Sequence, residues 1–414
     1  MIKWEEMRLR EVSKVISGYA FSSNDFNNNE GVPVIKIANI GNGTVEFDNS
    51  TQYVCKDFLT TLDKKYIIKN GDVLISLTGS HITQPNSMVG RTAMYRKSYD
   101  ALLNQRAGKI TGIKNKGVEK FLYYNLRTQW IREYIGVIAH GAANQANISP
   151  KSIESIKTLI PPVKIQEKIA DVLSVYDELI ENNINKIELL EKTAETIYKE
   201  WFVRFRFPGY HNTHFKNGIP KGWTVKKIND FGRVETGKTP PTVNPQNYGG
   251  NIMFIKTPDM HGHAYVVETG EYLTKTGHET QPKKLLPSNS ISVSCIGTGG
   301  IVAINSEPAH TNQQINSIIL DDLTYLEWLY FTAKVLKPTI EMFGATGATM
   351  TNLSKGKFEK IKVICPNKEL IYDFNQITSP MLEEIKELQK QNRNLVKQRD
   401  LLLPRLMSGK LMVK

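Results

Sequence analysis

Cysteine is nearly missing from this chain: 414 residues carry three, Cys55, Cys295 and Cys365, scattered and odd in number. No CxxC pair occurs, which excludes a disulfide framework and a cysteine zinc site. No stretch approaches the roughly 20 apolar residues that span a bilayer. The opening Met1-Ile2-Lys3-Trp4-Glu5-Glu6 has no apolar run of the secretory kind, so a cytoplasmic chain without a membrane partner is expected. Acidic residues are also in deficit. Lys and Arg outnumber Asp and Glu 53 to 41, giving a net charge of +12 and a pI near 9.3. No basic tail absorbs the excess, and a folded surface so charged favours a polyanionic partner, DNA or RNA first.

Catalytic signatures are lacking too. Asn244-Pro245-Gln246-Asn247-Tyr248 superficially resembles the Asn-Pro-Pro-Tyr signature of amino-methyltransferases. It lacks the second proline and any preceding Gly-rich cofactor strand, so turn formation explains it better. Gly297-Thr298-Gly299-Gly300 does not match the dinucleotide fingerprint. Pro258-Asp259 with Glu271 hints at a metal-dependent nuclease, but position 273 is Leu where Glu-x-Lys needs a lysine. His261, His263 and His278 read as surface-loop histidines, since no Cys or carboxylate completes a metal-ligand spacing. No catalytic, cofactor-binding or metal-binding residue is assigned, and the chain is not expected to be an enzyme in its own right.

What is present is a framework written twice. Asn147-Ile148-Ser149, Ile156-Lys157 and Pro161 recur as Asn352-Leu353-Ser354, Ile361-Lys362 and Pro366, each at an offset of 205 (352 minus 147). Upstream, Asn104-Gln105 answers Asn312-Gln313, and Ser17-Gly18 answers Thr236-Gly237. Ile35-Lys36 answers Ile255-Lys256. The run Val73 to Ser76 followed by Gly79 answers Ile291 to Ser294 followed by Gly297. Between these points sequence and spacing diverge, as expected of one kind of domain used twice to read two different things.

The length suits roughly two to three domains. Short apolar runs at 32–37 and 72–77, bounded by turn residues, predict strands, and helical spacing predicts helices near 118–135 and 325–336. The expected class is α+β. Each copy then gives way to a seam. The first holds Ile165, Ile169, Val172, Tyr176, Leu179, Ile187, Leu190, Ala194, Ile197 and Trp201, stopped by Pro208-Gly209. The second holds Phe374, Ile377, Met381, Ile385, Leu388, Leu395, Leu402 and Leu406, with a break expected near Ser379-Pro380. Steps of three and four predict long coiled-coil helices. Asn183 and Asn392 interrupt the seams and would meet if the helices pair antiparallel. The expected division is 1–160, 161–210, 211–366 and 367–414.

Polar, glycine-flanked loops are the candidate nucleic-acid sites, because Asn, Gln, Arg, Thr and His pair with base edges and phosphates. In the first copy they offer Thr78, Ser80, His81, Arg91, Gln105, Arg106, Asn144 and Gln145. In the second they offer Lys238, Thr298, Gln313, Gln314, Thr346 and Thr349. The plainer reading of such residues is loop self-bonding.

Taken together, the duplicated strand-Ser-x-x-Gly segments, the paired Asn-Gln dipeptides, the stretch Ala146 to Ile169 and the closing Leu403-Pro404-Arg405-Leu406-Met407-Ser408-Gly409-Lys410 resemble the specificity subunits of type I restriction–modification systems. The resemblance covers essentially the whole chain. It departs at Pro366-Asn367-Lys368-Glu369-Leu370, which stands where the first copy has Pro161-Pro162 and Gln166-Glu167. The resemblance implies two target-recognition domains, each reading half of a split double-stranded DNA sequence, separated by two long helices pairing as an antiparallel coiled coil. It implies two methyltransferase subunits that methylate adenines with S-adenosylmethionine, held by those partners and not by this chain, and restriction subunits that join them. A standalone DNA- or RNA-binding module without a methyltransferase partner is the alternative, and a cryptic nuclease is a third.

Overall fold

The computed structural model describes residues 4–27, 30–81, 88–142, 145–345 and 351–413. They form two compact units, one of residues 1–178 and 396–414, the other of 179–395. No helix among the described residues is long and apolar enough to cross a membrane.

In the first unit, Glu5–Arg8 pairs antiparallel with Lys157–Ile160, clasping the two ends of the α+β region. A five-stranded sheet runs in the order Ser13–Ser17, Ala107–Gly112, Val73–Ser76, Thr92–Met94, Gly43–Thr44. Its central strand is buried at all four positions, Val-Leu-Ile-Ser, so β-branched and branched side chains pack on both faces. The second unit repeats the sheet: Gly232–Thr236, Ile315–Leu320, Ile291–Ser294, Val302–Asn305, Tyr265–Val266. Strand directions match as well, antiparallel until a parallel last pair in both. A clasp recurs too, Thr224–Lys227 on Lys362–Cys365. The accessory sheets differ, five strands in the first unit and three in the second.

The helix expected near 118–135 is two helices, Glu119–Leu126 and Gln129–Ile138. Thr128 leaves helical geometry with ψ 143°, and its hydroxyl turns back to the Asn125 carbonyl at 2.7 Å. The second unit likewise has Leu326–Val335 followed by Lys337–Gly344, which carries Pro338 in its first turn. That is where a proline is tolerated.

The long helices are Val163–Tyr198, continued by a π-helical turn Lys199–Val203, and Lys368–Met407. Pro380 does not break the second, which runs through it. The proline is exposed, and flanking Ser379 donates to the Glu327 carboxylate at 2.7 Å. The seams also run one step off the expected phase in places. Val172 and Ile377 are each 39% exposed while the residues that follow them, Leu173 and Thr378, are buried; Leu179 is 44% exposed and Asp177 is buried. In the second unit Asn183 meets Asn392 and Lys186 meets Glu384, so rising numbers on one helix face falling numbers on the other: the pairing is antiparallel. In the first unit Ile169, Ala170 and Leu173 share a core with Leu406 and Met407.

Candidate nucleic-acid interface

The candidate loops gather where the central strand ends, and the same three backbone bonds gather them in each unit. In the first, the Asn104 N–H donates to the Ile35 carbonyl at 3.0 Å, Leu77 N–H to Arg106 at 2.9 Å, and Ile148 N–H to Leu77 at 2.8 Å. In the second, Asn312 donates to Ile255 at 3.1 Å, Cys295 to Gln314 at 2.8 Å, and Leu353 to Cys295 at 2.9 Å. The turn residues Gln105-Arg106 or Gln313-Gln314 thus sit beside Thr78-Gly79 or Ile296-Gly297. Beyond them lie the short strands Gln145–Asn147 or Thr351–Asn352, paired to the latter segments.

The duplicated residues hold this geometry. The Asn104 carboxamide oxygen accepts from Arg106 N–H at 3.3 Å, as the Asn312 oxygen accepts from Gln314 N–H at 3.2 Å, an Asx turn that fixes each tip. A Cβ on Gly18 would lie 2.3 Å from the Leu103 carbonyl oxygen, and one on Gly237 2.2 Å from that of Asn312. Only glycine allows the edge strand that close. Ser76 and Ser294 latch the loops that follow them. The Ser294 hydroxyl donates to the Thr298 carbonyl at 2.7 Å and accepts from Ile301 N–H at 2.9 Å. The Ser76 hydroxyl donates to the Met88 carbonyl and accepts from Arg91 N–H at 3.0 Å.

What differs is loop length. Gly90 N–H bonds the Ser76 carbonyl as Gly300 N–H bonds that of Ser294, both at 2.9 Å. Yet Gly90 lies fourteen residues beyond Ser76 (90 minus 76), and Gly300 six beyond Ser294 (300 minus 294). The first unit therefore carries eight extra residues at a point the framework otherwise keeps fixed.

Gln105, Arg106 and Gln145 are exposed in the first unit; Lys238, Thr298 and Gln313 are exposed in the second. Thr239 Oγ1 donates to Gln313 Oε1 at 2.5 Å, which holds that amide beside Lys238. Gln314 is half-buried, and its Oε1 accepts from Asn312 Nδ2 at 3.1 Å. Thr78 Oγ1 is enclosed and has no hydrogen-bond partner among the described residues. Ser80 holds the loop closed, its carbonyl accepting from Met88 and Val89 N–H. A ring nitrogen of His81, Nε2, lies 2.7 Å from the Gly136 carbonyl oxygen, tying the loop to helix Gln129–Ile138. Arg91 closes the same loop through its backbone, its carbonyl accepting from Ser76 N–H at 2.9 Å. Asn144, Thr346 and Thr349 lie outside the described residues.

The sequence marks Ile35-Lys36 as framework but does not reveal what the lysine does. Lys36 Nζ sits 4.2 Å over the Phe26 ring, and its pKa is lowered by burial and then by the Arg106 guanidinium. Two cations therefore crowd at the tip of the first unit. At the matching place Lys256 is paired with Glu271 at 2.7 Å. The signal lay in the sequence: a lysine kept in both copies beside the Asn-Gln turn. His278, expected in a loop, sits in the short helix Lys275–Glu279, with its Nδ1 2.9 Å from Nε2 of buried His310. No group of three or more metal-ligating side chains occurs among the described residues.

Comparison with known proteins points one way. The family model for the type I restriction modification DNA specificity domain matches residues 1–192 and again 220–398. The HindI type I restriction enzyme specificity subunit of Haemophilus influenzae is 30% identical, over 99% of this chain and 100% of that protein. The MjaIX specificity subunit of Methanocaldococcus jannaschii is 28% identical over 73% of this chain and 71% of its own length. Among solved structures, the type I restriction–modification S subunit from M. genitalium superposes with a TM-score of 0.61 at 16% identity, covering 98% of this chain and 96% of that one; at that identity the likeness concerns the fold.

Proposed function

This chain belongs to the type I restriction–modification DNA specificity family, and from that premise we propose that it reads a DNA target in two parts, one per unit, and positions methyltransferase subunits on the sequence so recognised. The observation that supports this reading is the repeated tip. Two units present the same sheet, the same Asn-Gln turn and the same serine latch, yet their loops differ by eight residues between equivalent glycines. A fixed frame with variable loops suits two readers with different half-site specificities. Exposed Gln105, Arg106, Gln145, Gln313 and Thr298 supply the donors and acceptors that base edges require.

The chain's own role is recognition. Adenine methylation would be carried out by two partner methyltransferase subunits holding S-adenosylmethionine, and restriction subunits would join the same assembly. The paired long helices are the segment of this chain suited to hold partners, since they present apolar side chains outward: Val172 and Val175 in the first unit, Leu179 and Leu189 in the second. Mapping methylated adenines in cells that carry the full complex tests the modular reading. Substituting residues 77–91 or 141–145 is expected to change one half of the methylated sequence and leave the other intact. Changes in both halves would contradict it, and a chain that binds DNA but never co-purifies with a methyltransferase subunit would favour a standalone module.

A further inference from the structure

The first unit holds an arginine-rich cleft of about 570 Å³ at the junction between helices Glu119–Leu126 and Gln129–Ile138. Arg127, Arg132 and Arg399 line it. Arg399 is neutralised, with Asp177 at 2.6 Å and Asp400 at 2.8 Å. Arg127 is held without a paired carboxylate among the described residues. Its guanidinium stacks 4.9 Å over the Tyr123 ring, donates to the Tyr123 hydroxyl, and reaches the Asn42 carbonyl at 3.5 Å. Arg132, five residues on, has no ion pair or hydrogen bond from its side chain among the described residues. Its pKa is lowered by burial and then by the charges of Arg127 and Arg91. Glu133, also in the lining, accepts from Gln129 at 2.8 Å and offsets part of this charge.

The second unit shows that the fold does not require bare arginines here. There the cation four residues beyond a stacking tyrosine is Lys334, 5.6 Å over Tyr330, and Glu195 pairs with it at 3.2 Å. In one unit the cation is ion-paired; in the other Arg127 and Arg132 form no ion pair among the described residues, and Asp177 and Glu133 offset only part of their charge.

We propose that this cleft is a phosphate clamp, in which Arg127 and Arg132 take backbone phosphodiesters of DNA whose bases face the loop at 77–81. The proposal rests on the reading of the units as DNA readers. Helix Gln129–Ile138 connects the two places, because the loop's His81 docks on Gly136 while Gln129 and Arg132 border the cleft. Seven helical residues span roughly 10 Å, which is about three nucleotides of one strand. A planar guanidinium, more weakly hydrated than an ammonium, suits phosphate better than lysine would. Such interactions carry affinity and leave sequence preference to the loops.

Binding of the full chain to a short DNA duplex of arbitrary sequence, followed by fluorescence anisotropy across a salt series, tests the clamp. Arg127→Gln and Arg132→Gln are expected each to lower the slope of log K against log salt by about 0.9 for every phosphate the variant no longer neutralises, with additive loss in the double variant. Arg132 makes no side-chain hydrogen bond to any described residue, so its variant keeps the test meaningful even if Arg127→Gln disturbs Tyr123. An unchanged slope with wild-type DNA binding intact overturns the clamp alone. Tight competition by a polyglutamate peptide that the double variant abolishes, with DNA binding unaffected, assigns the cleft to an acidic protein partner and also overturns it. A wild-type chain that fails to bind the duplex at low salt removes the DNA-reading function together with the clamp.

Discussion

The Asn183 side-chain amide donates to the Asn392 carboxamide oxygen at 2.8 Å and, at the same length, to Gln391 Oε1. Asn183 is only 8% exposed, in a seam otherwise built from Ile187, Leu382 and Ile385. A polar pair in an apolar seam costs stability and penalises every register in which the amides do not meet. Replacing Asn183 alone by Leu is expected to destabilise the chain by roughly 1–3 kcal/mol, because the Asn392 amide loses its partner. The double replacement Asn183→Leu with Asn392→Leu should recover that loss. Chemical denaturation of the four proteins in the cycle measures the coupling, and additive effects would show that the pair does not set register.

Asp177 holds the first unit's seam by a different chemistry. Its carboxylate takes Arg399 at 2.6 Å, Arg96 at 3.2 Å and the Tyr124 hydroxyl at 2.8 Å, with 6% of the aspartate exposed. Burial alone would raise its pKa, but the hydrogen bond and charge of Arg399, helped by Tyr124, outweigh that and hold it below the usual value. A depressed carboxylate pKa contributes stability that is present above the unfolded value near 3.9 and is lost as pH falls through the folded value. Asp177→Asn is expected to cost about 1–3 kcal/mol at neutral pH, since Arg399, Arg96 and Tyr124 lose the charged acceptor they share. It should also flatten the loss of stability below about pH 4. Urea titrations across that range would reveal either result.

These two pairs also explain which parts of the fold were legible in the sequence. The duplicated Gly18 and Gly237, Asn104 and Asn312, and Ser76 and Ser294 could be recognised because each answers a backbone constraint that both copies share. The seam phase could not, because its buried positions include Asp177, Asn183, Thr378 and Gln389 while apolar Val172, Leu179 and Ile377 face outward. Apolar periodicity follows the wrong row when the polar residues are the ones that pair. The break after Leu126 was hidden for a related reason: Thr128 is compatible with a helix until its hydroxyl finds the Asn125 carbonyl. At the tips, residue type identified the loops, but which side chains remain open was decided by tertiary bonds. Gln314 turns its amide inward to Asn312, while Gln105 stays exposed.

A histidine pair gives the second unit its own acid sensitivity. His310 is fully buried, its Nε2 lies 2.9 Å from His278 Nδ1, and its other ring nitrogen has no partner among the described residues. Burial, and then the neighbouring His278, push its pKa down to about 4. The folded state therefore keeps a neutral ring where the unfolded chain takes up a proton near pH 6.5. Stability is full above that value and declines as pH falls towards 4, by on the order of 2–3 kcal/mol. Thermal denaturation between pH 7 and 4 should show this decline in the wild type and a flatter profile in His310→Gln. Parallel profiles would mean that His310 is not the group responsible.

The serine latches allow the two candidate tips to be loosened separately. Ser294 is fully buried, and Ser294→Ala leaves Ile301 N–H without its acceptor, at a cost of roughly 1–3 kcal/mol. The turn that carries exposed Thr298 is fixed through that same hydroxyl, so the substitution loosens a candidate loop at the end of the central strand. Ser76→Ala acts in the same way on the loop that ends at Arg91. Because each latch is confined to its own unit, each variant is expected to relax one half of the methylated sequence while the other half stays strict. Sequencing modified adenines from cells expressing either variant reads both halves at once. Relaxation of both halves by one substitution would show that the tips are energetically coupled, and relaxation of neither would show that the latch holds a loop that does not read DNA.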